Sequence, residues 1–397
     1  MAMAKPVLSL LVHLHAALLF VPDPAAGAMY NVLRYGARAD GVTDSAGPFL
    51  RAWADACRSP TPATVYVPPG RFLVGLATFS GPCSSRAVTF SIAGTVVAPE
   101  GYGGRGSSGR WITFENVEGL TVSGGTLDGR GGALWACKRR RHGGCPTGAS
   151  SLTISNSRDV VVDGVRSVDS ELFHVVVLQC RGVTVRGVTV EAPADSPNTD
   201  GIHVHMSSHV SVYDARIHTG DDCISVGPGN SHLWIERVAC GPGHGISIGS
   251  LGMQQGMAVE AVQNVTVKTT WFTGTMNGLR IKTWGGSKRG FVRGVTFMDA
   301  TMSGVDNPII IDQNYCPNGR GCPRMSSSIK ISEVKYVDIR GSSATPVAVN
   351  FDCSRSNPCS GISLQDVALT YRNRVAKSYC QNAQGITLGL VLPPSCL

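Results

Sequence analysis

Three aspartates and a histidine are candidates for acid–base chemistry because a repeat in the sequence brings them into register. Asp200 and Asp222 each begin one copy of a six-residue pattern, His244 begins the next copy, and Asp221 directly precedes Asp222. Closely spaced carboxyl groups cannot all ionise easily, so they share protons and make an acid and a base available together. Hydrolysis of a glycosidic bond requires such a pair of carboxyl groups.

Two cations occupy a later copy of the same pattern. Arg280 and Lys282 alternate along one predicted strand, so their side chains lie on the same face. We expect them to bind the carboxylates of an acidic sugar polymer while the aspartates cleave it. Asn198, two residues before Asp200, is a further candidate for this site.

The repeat itself predicts how the chain folds. Its copies start at residues 200, 222, 244, 277, 307 and 345, and each carries apolar residues at the third and fifth places. A fixed register of this kind is typical of coils of parallel strand stacked on one another. Equivalent places in successive coils then lie roughly 4.8 Å apart. The longer later spacings indicate loops that leave the coil.

These patterns predict an all-β protein, a right-handed single-stranded parallel β-helix with a short N-terminal capping helix. Glycine is abundant, with 48 residues, and only 16% of residues are charged. Handedness follows from the strong preference of parallel crossovers for a right-handed path. Helical spacing of apolar residues predicts one helix at Pro48–Cys57, capped by Thr43 or Asp44, which would cover the open end of the coils.

The N-terminus predicts export from the cell. A lysine, an apolar run from Val7 to Val21 and small residues before Met29 indicate a signal peptide at 1–28, followed by one catalytic domain at 29–397. The alternative is a buried helix. The apolar run is too short to span a bilayer, so no membrane association is expected, and the protein is predicted to be secreted.

Thirteen cysteines agree with an oxidising compartment. Proximity in the sequence predicts six disulfides: Cys57–Cys83, Cys137–Cys145, Cys223–Cys240, Cys316–Cys322, Cys353–Cys359 and Cys380–Cys396. Cys180 remains, as a buried free thiol. Asn264 begins a glycosylation sequence and should lie on the surface.

The charge balance favours an acidic partner. The formal net charge is +8, which outside a cell attracts acidic polysaccharide; no nucleic-acid-binding motif appears. Simple solubility is the alternative explanation. The basic segment Cys137–Cys145 either reaches over the groove to bind the polymer or is a solvated run of charge.

Four short motifs resemble those of the polygalacturonases, glycoside hydrolase family 28. They are Asn198-Thr-Asp200, Gly220-Asp-Asp222, Gly243-His-Gly245 and Arg280-Ile-Lys282. Tyr315 matches a further active-site tyrosine of that family. The resemblance runs from Tyr30 to the C-terminal cysteines and is strongest to the exo-acting pollen group.

The resemblance implies a role for each of these residues. Asp221 would be the general acid, and Asp200 with Asp222 would activate the attacking water, with inversion at the anomeric carbon. His244 would tune the acid or contact the substrate. The remaining residues would bind substrate: Asn198, Arg280, Lys282 and Tyr315. The implied setting is the cell wall, with homogalacturonan as partner, no cofactor, no metal and a monomeric enzyme.

Several alternatives remain open. The action could be endo instead of exo, or directed at rhamnogalacturonan or xylogalacturonan. A lyase would need a calcium-binding cluster of carboxylates with a basic residue. A non-catalytic solenoid that binds wall polysaccharide belongs to a different class, and three adjacent acids argue against it. His203 and His205 alternate like metal ligands but lack a third partner, which favours a core or substrate role.

Overall fold

The computed structural model describes residues 27–101, 109–140, 144–253, 256–317, 319 and 321–397. The first strands are β1 Ala28–Asn31, β2 Ala63–Val67, β3 Arg71–Leu73, β4 Ala77–Ser80, β5 Val88–Ile92, β6 Thr95–Val97, β7 Arg110–Glu115, β8 Leu120–Ser123, β9 Thr126–Asp128, β10 Ser150–Ser155, β11 Arg158–Asp163, β12 Arg166–Val168, β13 Val175–Leu178, β14 Arg181–Arg186 and β15 Thr189–Glu191. They are followed by β16 Ile202–His205, β17 Ser208–His218, β18 Ile224–Val226, β19 Asn230–Cys240, β20 Ile246–Leu251, β21 Glu260–Thr273, β22 Asn277–Thr283, β23 Gly286–Val305, β24 Asn307–Asp312, β25 Ser327–Ser343, β26 Val347–Asp352, β27 Cys359–Tyr371, β28 Arg374–Val375, β29 Lys377–Gln381 and β30 Ala383–Leu392. Helices α1 and α2 span Ala46–Arg58 and Gly132–Arg139, and a short 3-10 turn spans Val32–Tyr35.

The strands wind into a parallel β-helix, which confirms the predicted fold class. One face is an eleven-stranded parallel sheet in the order β4, β7, β10, β13, β16, β18, β20, β22, β24, β26, β29. Each of these strands comes from the next coil along the chain. This face, called here the site sheet, carries the repeated six-residue pattern.

The remaining strands form the other faces of each coil. β14 pairs with the first part of β17 and β15 with its second part, so the long strand β17 is two strand segments that meet at a corner. Asp214 lies at this corner with φ of 54°, and Arg237 takes a similar left-handed conformation in the next coil. The prediction of more than one strand per coil is therefore confirmed.

Stacked apolar side chains fill the interior of the coils. Ile202, Ile224 and Ile246 pair in register on successive strands and are completely buried. Because side chains alternate along a strand, the neighbours of these isoleucines on each strand point outward from the site sheet. The interior ladder thus fixes which side chains face the solvent at the site.

The predicted register is right for five copies and wrong for the sixth. Ile309 pairs with Val349, not with Val347, so the last copy starts at residue 347 instead of 345. Val347, Val349 and Phe351 alternate with polar or small residues, and a slip of two residues keeps the same side chains inside. Periodicity alone could not separate these two registers.

Helix α1 covers the amino-terminal end of the coils, as predicted. Its apolar face buries Phe49 and Trp53 against the first coils, where the Trp53 ring meets Phe79 at 5.6 Å and Phe114 at 5.4 Å between centroids. Asp44 Oδ1 accepts hydrogen bonds from the backbone N–H groups of Ala46 and Gly75. The N-cap position is Ser45, one residue after the nearer predicted cap, and its side chain makes no capping hydrogen bond, so the predicted cap residue is wrong although Asp44 contacts the first turn.

Helix α2 was not predicted and corrects the expectation of a single helix. It begins among glycines and ends in the basic segment, and among its residues only Leu134 and Trp135 are buried. So short an apolar face gives no clear helical period. Arg139 near its end pairs with Asp195 at 3.2 Å, while residues 141–143 of the basic segment lie outside the described residues.

All six predicted disulfides are present, and Cys180 is free and buried. Asn264 is exposed, and its glycosylation stays a prediction. Most of the predicted signal peptide lies outside the described residues, so the division at residue 28 also stays a prediction. Within the described part of the chain, no helix is long and apolar enough to cross a membrane.

Candidate active site

The fold places the predicted acids side by side at one end of the site-sheet strands. Asp200, Asp222 and His244 each lie two residues before paired isoleucines of β16, β18 and β20. The register that the repeat predicted therefore brings them into one row. Asp221 joins this row through the backbone, since its carbonyl accepts a hydrogen bond from the His244 N–H at 2.7 Å.

Asp222 is an ionised carboxylate in a buried position. Its side chain is only 1% exposed, and Oδ1 accepts hydrogen bonds from Ser247 at 2.8 Å and Arg280 at 2.6 Å. Oδ2 accepts from Lys282 Nζ at 2.7 Å. Burial raises the pKa of Asp222, but the Lys282 and Arg280 cations outweigh burial and lower it to about 2.

Asp200 has the opposite character. It is buried, and burial together with the neighbouring Asp221 and Asp222 raises the pKa of its carboxyl well above the ordinary value. The Ser225 hydroxyl and Lys282 only partly offset these effects. Asp200 therefore holds a proton under conditions in which Asp222 is ionised.

Asp221 forms a pair with His244 at the more open side of the row. Nδ1 of His244 lies 3.1 Å from Oδ1 of Asp221, and the backbone N–H of Asp222 donates to the same oxygen at 2.8 Å. Both contacts engage Oδ1. Oδ2 is thus the oxygen that can carry a transferable proton.

Arg280 and Lys282 lie on β22 and are buried, but they are not solely substrate ligands as expected. Both cations bind Asp222, and Arg280 Nε also donates to Ser247 at 2.8 Å. Together with Asp222 they carry a net charge of 2 − 1 = +1, which remains available to an anionic sugar. A guanidinium has five N–H donors, so further donors remain.

Tyr315 lies against the two cations, and Asn198 lies two residues before Asp200. The Tyr315 ring lies 5.8 Å from the Arg280 guanidinium carbon and 5.2 Å from Lys282 Nζ, and its edge meets Trp284. Cation–π attraction of this kind orients a charged side chain. Asn198 is exposed, with φ of 59°, in the turn before Asp200.

One group of donors among the described residues has the spacing of a metal site. Oxygen and nitrogen atoms of Asp221, Asp222 and His244 lie within 4.8 Å of one another. Both oxygens of Asp222, however, already accept hydrogen bonds from cations. A metal ion would have to compete with Arg280 and Lys282, so this donor set fits a metal poorly.

Sequence reasoning missed Ser247 and Phe173. Ser247 shares the place of Ser225 and Arg280 in its copy, so the repeat could have found it. Val175 pairs with Ile202, so Phe173, two residues before Val175, occupies the same place in its coil as Asp200 does in the next coil. In this preceding coil the place of Asp200 is taken by an aromatic residue instead of an acid or a histidine, which is why Phe173 was overlooked.

An open cleft of about 420 Å³ lies along the site sheet, with most of its lining on the amino-terminal side of the acids and its other end at Gly249 and Ser250 of β20. Its floor includes His203, whose Nδ1 lies 2.7 Å from Ser225 Oγ and whose ring stacks on Phe173 at 4.5 Å. Burial, with a smaller effect of His205, lowers the pKa of His203 to about 3, so the ring is neutral at higher pH. The cleft is lined by Gly109, Arg110, Ser150, Thr153, Leu172, Phe173, Val176, Leu178, His203, His205, Gly227, Pro228, Gly249 and Ser250.

Known structures share this architecture. An endo-xylogalacturonan hydrolase from Aspergillus tubingensis superposes with a TM-score of 0.76 at 20% identity, covering 91% of this chain and 99% of its own. A polygalacturonase from Erwinia carotovora gives a TM-score of 0.66 at 23% identity, covering 94% and 97%. At these identities the likeness shows the fold alone.

Sequence comparison goes further. A polygalacturonase from Prunus persica is 55% identical over 373 residues, which cover 94% of each chain. An exopolygalacturonase from Platanus acerifolia is 42% identical over 375 residues, covering 93% of this chain and 98% of its own. The family description that matches residues 57–390 is glycosyl hydrolases family 28. That range contains all four motifs and the row of acids, and the matches establish that the chain belongs to glycosyl hydrolases family 28.

Proposed function

We propose that this enzyme hydrolyses the α-1,4-galacturonosyl linkages of polygalacturonate with inversion, acting from a chain end. The observation that carries the proposal is the pairing of an ionised Asp222, held by Arg280 and Lys282, with a protonated Asp200 in one row. The names of the Prunus persica and Platanus acerifolia relatives support the substrate. The net positive charge beside the acids supports an anionic sugar.

Asp221 is the proposed general acid. Its Oδ1 is occupied by His244 and by the Asp222 N–H, so a proton on Oδ2 can pass to the oxygen of the departing sugar. His244 holds the carboxyl in this orientation. As the C–O bond breaks, the leaving oxygen takes that proton and its bonding electron pair.

Asp222 is the base that takes the proton of the water on the opposite face of the sugar, and Asp200 orients this water by hydrogen bonding. A carboxylate with a pKa of about 2 is a weak base while both cations bind it. A galacturonate carboxylate that takes donors from Arg280 and Lys282 weakens their hold on Asp222 and raises its pKa. Substrate binding therefore strengthens the base at the moment it is needed, while Asp200 holds the water.

The cellular setting is also part of the proposal. Residues 1–28 would direct the chain out of the cell, where the six disulfides persist. The enzyme would act in the cell wall as a monomer without a cofactor. The basic segment Cys137–Cys145 would bind polymer through its arginines, of which Arg139 also pairs with Asp195.

Incubation with polygalacturonate tests the function. We expect new reducing ends, with monomer as the earliest product and inverted anomeric configuration by NMR. A ladder of oligomers would instead show endo action. Products that absorb ultraviolet light would show a lyase, and binding without cleavage would show a non-catalytic solenoid. Rhamnogalacturonan and xylogalacturonan are the parallel substrates, and a strong preference for either would overturn polygalacturonate as substrate.

A further inference from the structure

The outward side chains of the site sheet change in charge along the axis of the coils. One row of paired residues crosses the sheet and can be followed from strand to strand: Thr153, Val176, His203, Ser225, Ser247, Arg280 and Ile310. The row is neutral up to Ser247 and becomes cationic at Arg280. The next outward row begins with Leu178 and His205, and on β22 Lys282 follows Arg280 by two residues and so faces the same side.

The cleft, most of whose lining lies on the amino-terminal side of the acids, is close to uncharged. Leu172, Phe173, Val176, Leu178 and Pro228 give it apolar walls. Burial lowers the pKa of both His203 and His205, so neither ring adds positive charge at ordinary pH. Among the described lining residues there is no carboxylate, and the cation is Arg110 at the far end. Arg110 starts β7, three strand spacings from β16, or roughly 14 Å.

The opposite side of the site has the reverse charge. Asp312 pairs with Lys282 across the sheet, and Asp352 pairs with Asp312 one strand further. Asn314 donates hydrogen bonds to both carboxyl groups. Acidic side chains therefore follow directly after the two cations, and they repel an anionic sugar that lies beyond them.

We propose that the enzyme requires a free carboxylate at one sugar only, the one beside Arg280 and Lys282, and accepts methyl-esterified galacturonate on the Phe173 side of the acids. The inference rests on the proposed function. A carboxylate placed against the apolar walls loses hydration without gaining a cation, whereas an ester methyl group gains apolar contact there. The substrate class is thus partially methyl-esterified galacturonan as well as the unesterified polymer.

The test compares unesterified polygalacturonate with the same polymer after partial, random methyl esterification, and sequences the product ends by mass spectrometry. We expect hydrolysis of both. At each cut, the sugar from the cation side should carry a free carboxylate, and the sugar from the cleft side should carry free and esterified forms alike. Free carboxylates on both new ends, or no cleavage of the esterified polymer, would overturn the inference alone. Failure to cleave either polymer would overturn the proposed function with it.

A variant pair links the selectivity to the cleft wall. Leu178→Lys adds a cation that faces the cleft, and Leu178→Gln adds a neutral polar side chain of similar length. We expect the lysine variant to shift the ratio of kcat/KM for the two polymers about fivefold toward the unesterified one, the size of an exposed ion pair. The glutamine variant should leave the ratio as in the parent. Equal ratios in all three proteins would contradict the assignment of the cleft as the place where esters bind.

Discussion

Asp222 and Asp200 are neighbours with opposite protonation, and cations cause the difference. Both carboxyls are buried, but hydrogen bonds from Arg280 and Lys282 reach Asp222. Asp200 instead experiences the negative charge of Asp221 and Asp222. The sequence predicted that these acids share protons, because the repeat brings them together. It could not predict which one is ionised, since that depends on where the two long cationic side chains end.

Replacement of Asp221 by asparagine tests the proposed acid. The asparagine side chain keeps the shape of the aspartate and can still hydrogen-bond His244, but it has no acidic proton for the leaving oxygen. We expect kcat to fall by about 10²–10⁴-fold, the usual contribution of a general acid, with KM nearly unchanged. Steady-state kinetics on polygalacturonate give both values. Activity within tenfold of the parent would mean that another residue is the acid.

Asp200→Asn tests the raised pKa through stability. The folded state binds the Asp200 proton more tightly than the unfolded chain, so this contribution to stability is complete below the ordinary pKa of 3.8. It is lost as pH rises from that value through the raised pKa of the folded state. Asparagine cannot ionise, so the variant should gain stability relative to the parent across this window.

Urea unfolding of both proteins over a series of pH values measures the effect. The difference in free energy of unfolding should move in favour of the variant as pH rises. Curves that stay parallel, or that diverge in the opposite direction, would show that Asp200 is not a carboxyl of raised pKa.

The segment before β18 carries Asp221 and Asp222, and a disulfide anchors it. Cys223 follows the acids and is bonded to Cys240 at the end of β19, with both cysteines buried. Sequence proximity was enough to predict this pair, because adjacent coils bring the two segments together. The register of β26 shows a limit of sequence patterns. Apolar residues alternate in the same way before and after a shift of two residues, so alternation cannot distinguish the two registers.

Removing this disulfide should affect both stability and catalysis. The double variant Cys223→Ser and Cys240→Ser removes a disulfide between cysteines 17 residues apart in the sequence. We expect a loss of about 3 kcal/mol in the free energy of unfolding. Because the acids can then shift, kcat should also fall at a temperature where the variant is still folded. Denaturant unfolding and kinetics measure the two effects.

The matched control is the Cys57–Cys83 disulfide, which joins α1 to the segment after β4 and has a separation of 26 residues. Its removal should reduce stability to a similar extent, about 3 kcal/mol, but leave kcat as in the parent. An equal loss of kcat in both double variants would mean that Cys223–Cys240 has no special role in positioning the acids.

The whole molecule is a column of coils whose apolar interior must be closed at its ends. Helix α1 closes the amino-terminal end through Phe49 and Trp53, and the sequence revealed this helix because its apolar period is clear. Helix α2 was missed because it lies outside the column and buries little. Sequence therefore predicts best the parts whose side chains point into the repeating interior.

Trp53→Ala tests the importance of this cap. Its ring contacts Phe79 and Phe114, and Nε1 donates to the Ser80 carbonyl at 3.0 Å. We expect the variant to lose about 3–5 kcal/mol of stability, as for a large buried aromatic. Hydrogen exchange should show the earliest loss of protection in β4 and β7. The control Trp271→Ala removes a side chain that is 46% exposed, and it should cost within about 0.5 kcal/mol. Equal losses would contradict a capping role for Trp53.

Because the reacting groups come from several turns of the column, the column can gain or lose turns during evolution only at certain places. A duplicated turn inserted between β16 and β22 would move Asp200 about 4.8 Å further from Lys282 and abolish the chemistry. The same duplication before β13 would leave the acids untouched and add one more rung of groove for the polymer. Relatives of different length can thus differ in how many sugars they bind, while the distance from Asp200 to Lys282 must stay constant.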